Sequence, residues 1–159
     1  MCREAAVLEL TAQVPGVQLV QMWVCDLVMS QTFLELIIEN GELRIMANVV
    51  EEKSFQFAIR IVRLYQYLRS KKKEFVLSKQ LLRSGTSVGA NVAEAQQAQS
   101  RADFLSKINI ALKEAAETEY WLRLLRATDY LEEKEFRSIY SDCEQVKKLL
   151  VAIVKTTKE

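Results

Sequence analysis

The sequence predicts an all-α protein folded as an antiparallel up-and-down four-helix bundle. One Pro and four Gly in 159 residues leave few turn residues, which argues against a turn-rich β fold. Four segments carry apolar residues at alternating steps of three and four, the spacing that places them on one side of a helix. The links between these segments are short, and short links make consecutive helices antiparallel neighbours. Residues 46–159 form one bundle domain in this prediction.

The first 45 residues differ from the rest and are predicted to form an N-terminal extension. They carry two basic and six acidic residues, whereas residues 46–159 carry twenty basic and fifteen acidic ones. Their apolar stretch, 18–38, is interrupted by polar residues and resembles no membrane span, and the chain start lacks the basic residues of a signal peptide. We interpret residues 1–45 either as a translated leader before a start at Met46, or as an added helix or hairpin at the bundle surface.

The first bundle helix is predicted from about Ser54 to Ser70. Ile59 and Val62 lie off its core stripe and give the helix a second apolar edge, which we interpret as a contact with another subunit. The core stripe itself consists of Ala58, Ile61, Leu64, Tyr65 and Leu68.

Basic residues along and after this helix are the candidate nucleic-acid-binding residues. The three lysines that follow the helix suit the negative end of the helix dipole, which is one explanation for them. A cluster of cations is also the usual electrostatic footprint of a nucleic-acid-binding protein. The candidates are Arg60, Arg63, Arg69, Lys71, Lys72 and Lys73.

The second helix is predicted from an N-cap at Ser78 to about Gln97. Gly85 and Gly89 are four residues apart, and two glycines inside a helix, each costing about 1 kcal/mol, indicate that another backbone comes close. That backbone belongs either to the same chain or to another subunit. The inward stripe is predicted as Leu77, Leu81, Ser84, Val88 and Asn91. A polar Asn91 on this stripe predicts a hydrogen bond to a neighbouring helix or its backbone.

The third and fourth helices have the clearest patterns. Ser100, followed three residues later by Asp103, predicts a capped start for the third helix, which we expect to end near Thr128 or Asp129. Its stripe is Phe104, Ile108, Ala111, Ala115, Thr118, Leu122 and Leu125. The stripe of the fourth helix is Phe136, Ile139, Tyr140, Cys143, Val146, Leu150 and Ile153. Cys143 is expected to be a small buried hydrophobic residue.

Residues 87–94, Ser-Val-Gly-Ala-Asn-Val-Ala-Glu, together with Asp103-Phe104, Ala111 and Glu114, resemble a family of bacterial four-helix-bundle proteins. Some members are encoded by intervening sequences within 23S ribosomal RNA genes. The resemblance covers about 54–154, with Ala95 in the place of a usual Gly. It implies an up-and-down bundle that assembles into a homo-oligomeric ring, typically a homopentamer. A related group serves as accessory proteins of diversity-generating retroelements, which bind the reverse transcriptase and nucleic acid.

Few residues suit catalysis or metal binding. The chain has no His, its three Cys have no metal spacing, and no Gly-rich phosphate loop is present. Ser87, Asn91 and Glu94 share one helix face, where we expect a structural polar network, and we interpret Glu114 with Glu117 as a solvated face or an inter-subunit salt bridge. We therefore predict a protein that is not an enzyme, without catalytic residues, metal or cofactor.

The sequence and the resemblance together predict a cytoplasmic homo-oligomer with reduced thiols and no membrane partner. Its predicted function is to bind RNA, or a nucleoprotein partner such as a reverse-transcriptase-like protein, through basic surfaces. The alternative is a protein-interaction scaffold without affinity for nucleic acid. Salt dependence separates the two, because binding to phosphates weakens steeply as salt rises.

Overall fold

A computed structural model describes residues 42–158, so residues 1–41 of the predicted N-terminal extension, 1–45, lie outside the described residues, whereas 42–45 belong to the first helix. The described part consists of four helices: α1, Glu42–Ser70; α2, Leu77–Gln96; α3, Arg101–Ala127; and α4, Glu133–Lys158. The first helix thus begins well before the predicted Ser54. Within residues 42–158, no helix is both long and apolar enough to span a membrane.

The four helices form an antiparallel bundle in which each helix packs against the next and α4 packs against α1. Contacts between neighbouring helices join late positions on one to early positions on the other. Between α1 and α2, for example, Gln96 donates to the carbonyl of Ala47, whereas Gly85 faces Ile61. Between α1 and α4, Arg60 contacts Ser138, so the fourth helix also runs opposite to the first. The predicted all-α bundle is confirmed.

The core stripes of α3 and α4 are largely as predicted. The buried α3 residues are Ile108, Ala111, Ala115, Thr118, Leu122 and Leu125, and the predicted buried residues of α4 are Ile139, Cys143, Val146, Leu150 and Ile153. Burial raises the pKa of the Cys143 thiol to about 12. This thiol is therefore protonated at neutral pH and, as expected, packs as a small hydrophobic residue.

The core stripe of α1 agrees with the prediction only in part. Its buried residues are Met46, Ala47, Val50, Ser54, Phe57, Ile61 and Leu68. Ile61 and Leu68 were predicted and Phe57 was not, whereas the predicted Ala58, Leu64 and Tyr65 are only half-buried. A step of three or four from Ser54 reaches either Phe57 or Ala58, and burying the larger Phe57 removes more apolar surface from water.

The prediction of Gly85 as an oligomer contact is wrong. Gly85 is buried, and a Cβ built on it would lie 2.8 Å from both Cγ1 and Cγ2 of Ile61 in α1 of the same chain. Gly89 also faces α1, since its Cβ would lie 3.4 Å from the carbonyl oxygen of Ser54. Both glycines therefore allow α1 of the same chain to come close, through the Ile61 side chain at Gly85 and through the Ser54 backbone at Gly89, as in the tight-packing interpretation.

Asn91 does not lie on the buried stripe of α2, contrary to the prediction. The buried stripe passes from Val88 to Val92 and Ala95, one position away from Asn91. Asn91 is half-buried, and its Nδ2 donates to the carbonyl of Ser87 at 2.9 Å and to the Ser87 hydroxyl at 3.3 Å. Because both bonds stay within α2, Asn91 does not join two helices through them.

The start of α2 is capped by Glu74 and not by the predicted Ser78. The Glu74 carboxylate accepts from the backbone N–H groups of Val76, Leu77 and Ser78 at 2.6–2.9 Å. Ser78 lies in the first turn, where its hydroxyl donates to the Glu74 carbonyl. Burial alone would raise the pKa of Glu74, but the backbone N–H groups of Ser78, Leu77 and Val76 outweigh it and lower that pKa.

Both ends of α3 are set by local hydrogen bonds. The Ser100 hydroxyl accepts from the N–H of Asp103 at 3.1 Å, which confirms the predicted cap. At the other end, Asp129 has φ 59°, and the N–H of Tyr130 donates to the carbonyl of Leu125. This is a Schellman motif with Asp at the position that usually holds Gly.

Candidate nucleic-acid interface

The end of α1, the link after it and the start of α2 form a surface rich in cations. We call this surface the basic corner and define it as Arg63, Arg69, Lys71, Lys72, Lys73, Lys79 and Arg83. Among the described residues, none of these side chains forms an ion pair. The one carboxylate between 60 and 86 is Glu74, which is buried and bound to the amides of α2. The positive charge of the corner is therefore not neutralised locally.

Arg60, a predicted nucleic-acid residue, is instead bound to α4. Its guanidinium pairs with the Asp142 carboxylate and donates to the Ser138 carbonyl at 3.2 Å and the Ser138 hydroxyl at 2.8 Å. An exposed guanidinium satisfied in this way gains little from a phosphate. Arg60 therefore joins α1 to α4, and we remove it from the candidate interface.

Two members of the corner, Lys79 and Arg83, were not among the residues predicted from the sequence. Both are exposed and lie four residues apart on α2, so they share one helix face. Since α2 is antiparallel to α1, this face lies beside the end of α1. The sequence pattern that could have identified them is the i, i+4 spacing of two cations on α2, which was predicted to lie beside the basic helix α1.

Aromatic rings are interleaved with the cations at the end of α1. The Arg69 guanidinium carbon lies 5.5 Å from the ring centre of Tyr65 and 5.8 Å from that of Phe75. Arg69 also donates to the Tyr65 hydroxyl at 3.1 Å. Lys72 Nζ lies 6.0 Å from the ring centre of Tyr67. Phe75 was missed because 74–77 was interpreted only as a connection.

The lysines are displayed by a tight turn after α1. Lys73 has φ 55°, a left-handed conformation, and Glu74 N–H donates back to the carbonyl of Leu68 at 3.1 Å. Lys71 and Lys73 are exposed and Lys72 is half-buried. Because Glu74 already occupies the first amides of α2, an anion at this corner would be held by side chains and not by a helix N-terminus.

The opposite corner at the same end of the bundle is acidic. The link from α3 to α4 and the first turn of α4 carry Asp129, Glu132, Glu133 and Glu135. Arg126 and Arg137 both pair with Glu133, and the one further cation of this stretch, Lys134, lies between Glu133 and Glu135 in the sequence. The positive charge at this end is thus concentrated on the α1–α2 side.

The three family-motif residues do not form one network. Ser87 and Asn91 bond to each other, whereas Glu94 pairs with Lys107 of α3. Glu94 is exposed and its ion pair joins α2 to α3. Among residues 42–158, no three His, Cys, Asp or Glu side chains are grouped closely enough to hold a metal ion.

A second surface, mainly apolar, runs along α1 and α2 towards the other end of the bundle. Phe55 is 60% exposed and Val62 is 36% exposed, whereas Ile59 is half-buried. Phe55 borders an open cleft of about 460 Å³. The small residues that line the α2 side of this cleft are Thr86, Gly89, Ala90 and Ala93. We call this surface the apolar cleft.

The fold and its surfaces define an antiparallel four-helix bundle with one basic corner and one apolar cleft. The sequence model of the 23S rRNA-intervening sequence protein family matches residues 46–152, and the chain belongs to this family. The resemblance noted from residues 87–94 is thereby confirmed.

A solved structure is similar to this chain. It is that of a protein with unknown function from the S23 ribosomal protein family of Bacteroides thetaiotaomicron VPI-5482, and the two sequences are 59% identical. The match has a TM-score of 0.68 and covers 69% of this chain and 98% of that chain. No curated protein matches the sequence.

Proposed function

We propose that this protein is a non-enzymatic homo-oligomeric bundle that binds RNA through its basic corner. The observation that carries the proposal is the basic corner, whose cations form no ion pair among the described residues, while Glu74, the one carboxylate between 60 and 86, is buried in a helix cap. Neutralising phosphates with such cations releases counterions and supplies sequence-independent affinity. The proposed activity is cytoplasmic, as the cysteine usage predicts.

RNA is the polyanion that the family relationship favours. The chain belongs to a family described by its relation to intervening sequences of 23S rRNA. The aromatic rings of Tyr65, Tyr67 and Phe75 beside the cations also suit a ligand with bases. A nucleoprotein, such as a reverse transcriptase with its RNA, would present the same phosphates.

The apolar cleft favours self-association. An exposed Phe55 beside a strip of small side chains provides both a projecting and a receiving element. Contact between this surface and a different surface of the next copy would be heterologous, and heterologous contacts form a ring when the rotation between successive copies closes. We propose a ring of about five subunits, as the family resemblance implies. A ring would repeat the basic corner in every subunit and so strengthen binding by avidity.

The proposal is tested by titrating a fluorescently labelled RNA with the full chain and following anisotropy at several salt concentrations. We expect binding that weakens steeply between about 50 and 200 mM salt. A protein without RNA affinity at the lowest salt would contradict the proposal. The exposed apolar cleft would then favour the alternative, a scaffold that binds only proteins.

A further inference from the structure

Phe75 occupies an unusual position at the centre of the basic corner. It lies in the link between α1 and α2, directly after Lys71–Glu74, and 45% of it is exposed. Val76 beside it is 70% exposed. Neither side chain is part of the buried core, so the apolar surface of this link is not explained by packing within the described chain.

Arg69 connects Phe75 to the aromatic ring of Tyr65. Its guanidinium carbon is within 6 Å of both ring centres, and its hydrogen bond to the Tyr65 hydroxyl holds it there. The result is a planar cation between two rings, with exposed Lys71 and Lys73 in the adjoining turn. Stacking surface and phosphate-binding charge are therefore a few residues apart.

This site offers an unpaired nucleotide both a stacking surface for its base and cations for its phosphates. Aromatic and guanidinium planes stack on the flat face of any base, and nearby cations bind the flanking phosphates. A duplex could use only the phosphate-binding cations, because its bases are stacked on each other inside the helix. The combination therefore discriminates single strands from duplexes.

We propose that the link after α1 binds single-stranded RNA, with a base stacked on Phe75 and Arg69 and the neighbouring phosphates held by Lys71 and Lys73. This inference rests on the proposed RNA-binding function and adds to it the class of RNA. It does not require a particular sequence, since each base offers a stacking face.

The test compares Phe75→Ala with Tyr120→Ala in the full chain. Tyr120 is the matched control because it is an exposed aromatic residue on α3 that belongs neither to the basic corner nor to the apolar cleft. Each protein is titrated with a single-stranded RNA and with a duplex of the same length. Stacking is worth about 1–3 kcal/mol per base, so Phe75→Ala should weaken single-strand binding by roughly 5- to 150-fold.

Further readouts distinguish stacking from loss of charge or fold. Phe75→Ala should leave duplex affinity, the thermal midpoint and the salt slope of binding close to wild type, because no phosphate contact is lost. Phe75→Trp should retain single-strand binding. Tyr120→Ala should leave single-strand binding unchanged.

The outcomes that overturn the inference are distinct from those that overturn the proposed function. Unchanged single-strand affinity in Phe75→Ala, with a wild type that binds RNA, would refute stacking and leave the basic corner as the binding surface. Equal losses for single strand and duplex would also refute it. Absence of RNA binding by the wild-type protein would refute both proposals.

Discussion

Gly85 of α2 and Ile61 of α1 lie so close together that no side chain fits between them. A Cβ on Gly85 would be 2.8 Å from two carbon atoms of Ile61, and both residues are buried. Gly85→Ala should therefore lower the free energy of unfolding by about 1–3 kcal/mol, the usual cost of overpacking. Urea denaturation at a fixed protein concentration measures this change.

Two comparisons test whether the contact with Ile61 causes the loss of stability expected for Gly85→Ala. At Gly89 a Cβ would lie 3.4 Å from the Ser54 carbonyl oxygen, a near-ordinary contact, so Gly89→Ala should be far less damaging. In an Ile61→Ala background the two nearest carbon atoms are gone and only Cβ of residue 61, at 3.2 Å, remains close, so adding Gly85→Ala should cost much less than it does in the wild type. An equal loss in both backgrounds would show that Ile61 is not the obstacle.

The Glu74 cap should make stability depend on pH. Glu74→Gln keeps the shape but removes the charge that accepts three backbone N–H bonds, and it should cost about 1–3 kcal/mol at pH 7. The exposed Glu144, changed to Gln, is the control and should have little effect. Denaturant titrations at several pH values measure both variants.

The direction of the pH effect follows from the lowered pKa of Glu74. Its pKa in the folded chain lies below the ordinary value of 4.5, so the charged form stabilises the fold. This contribution is complete above about pH 5 and is lost as the pH falls through the folded-state pKa. The gap between wild type and Glu74→Gln should therefore close in acid. A gap that stays constant down to about pH 3 would refute the cap's electrostatic role.

Asn91 should contribute little to stability despite its place in the family motif. Its hydrogen bonds are confined to Ser87 on the same helix, and the side chain is only half-buried. Asn91→Ala loses these bonds but gains helix propensity, so the net change should stay within about 0.5 kcal/mol. Thermal or urea unfolding measures it, and a loss above about 2 kcal/mol would indicate a role in joining helices.

The predicted stripes of α3 and α4 are close to the observed ones, whereas those of α1 and α2 are correct only in part. Phe57 is buried in place of Ala58, and Val92 in place of Asn91. The apolar residues of α3 from Phe104 to Leu125 are regularly spaced, with no Gly between them, so only one side of this helix can face the core. In α2, a step of three or four after Val88 leads to Asn91 or Val92, and the sequence alone did not separate them. Packing decides, because burying Val92 removes apolar surface from water, whereas burying Asn91 would require partners.

The candidate interface was only partly predictable for a related reason. The cations of 63–73 are adjacent in sequence and were found, but Arg60 is neutralised by Asp142, a residue far along the chain on α4. Phe75 and Glu74 act through contacts made across a link, for which helical periodicity gives no signal. Long-range pairing and link geometry are properties of the folded chain.

The apolar cleft should determine self-association. Phe55→Glu replaces the exposed ring at the cleft by a further carboxylate next to Glu51 and Glu52 without entering the core, so it should disrupt assembly and leave the subunit folded. Light scattering measures the mass, circular dichroism the fold, and Tyr120→Glu, at an exposed site on α3, provides the comparison. If the wild type is monomeric at micromolar concentration, or Phe55→Glu keeps the wild-type mass, the cleft is not the assembly surface.

RNA binding by the basic corner is tested most directly by the salt dependence of a triple variant, Lys71→Gln, Lys72→Gln and Lys73→Gln. A matched triple variant of Lys113, Lys148 and Lys155, also to Gln, removes the same charge from exposed positions elsewhere on α3 and α4. We expect the first variant to bind RNA more weakly, with the slope of log affinity against log salt reduced by about 0.7–0.9 for each lost phosphate contact, while its mass stays that of the wild type. The matched variant should keep a slope near wild type. Equal slopes in all three proteins, or an equal reduction in both variants, would contradict binding at this corner.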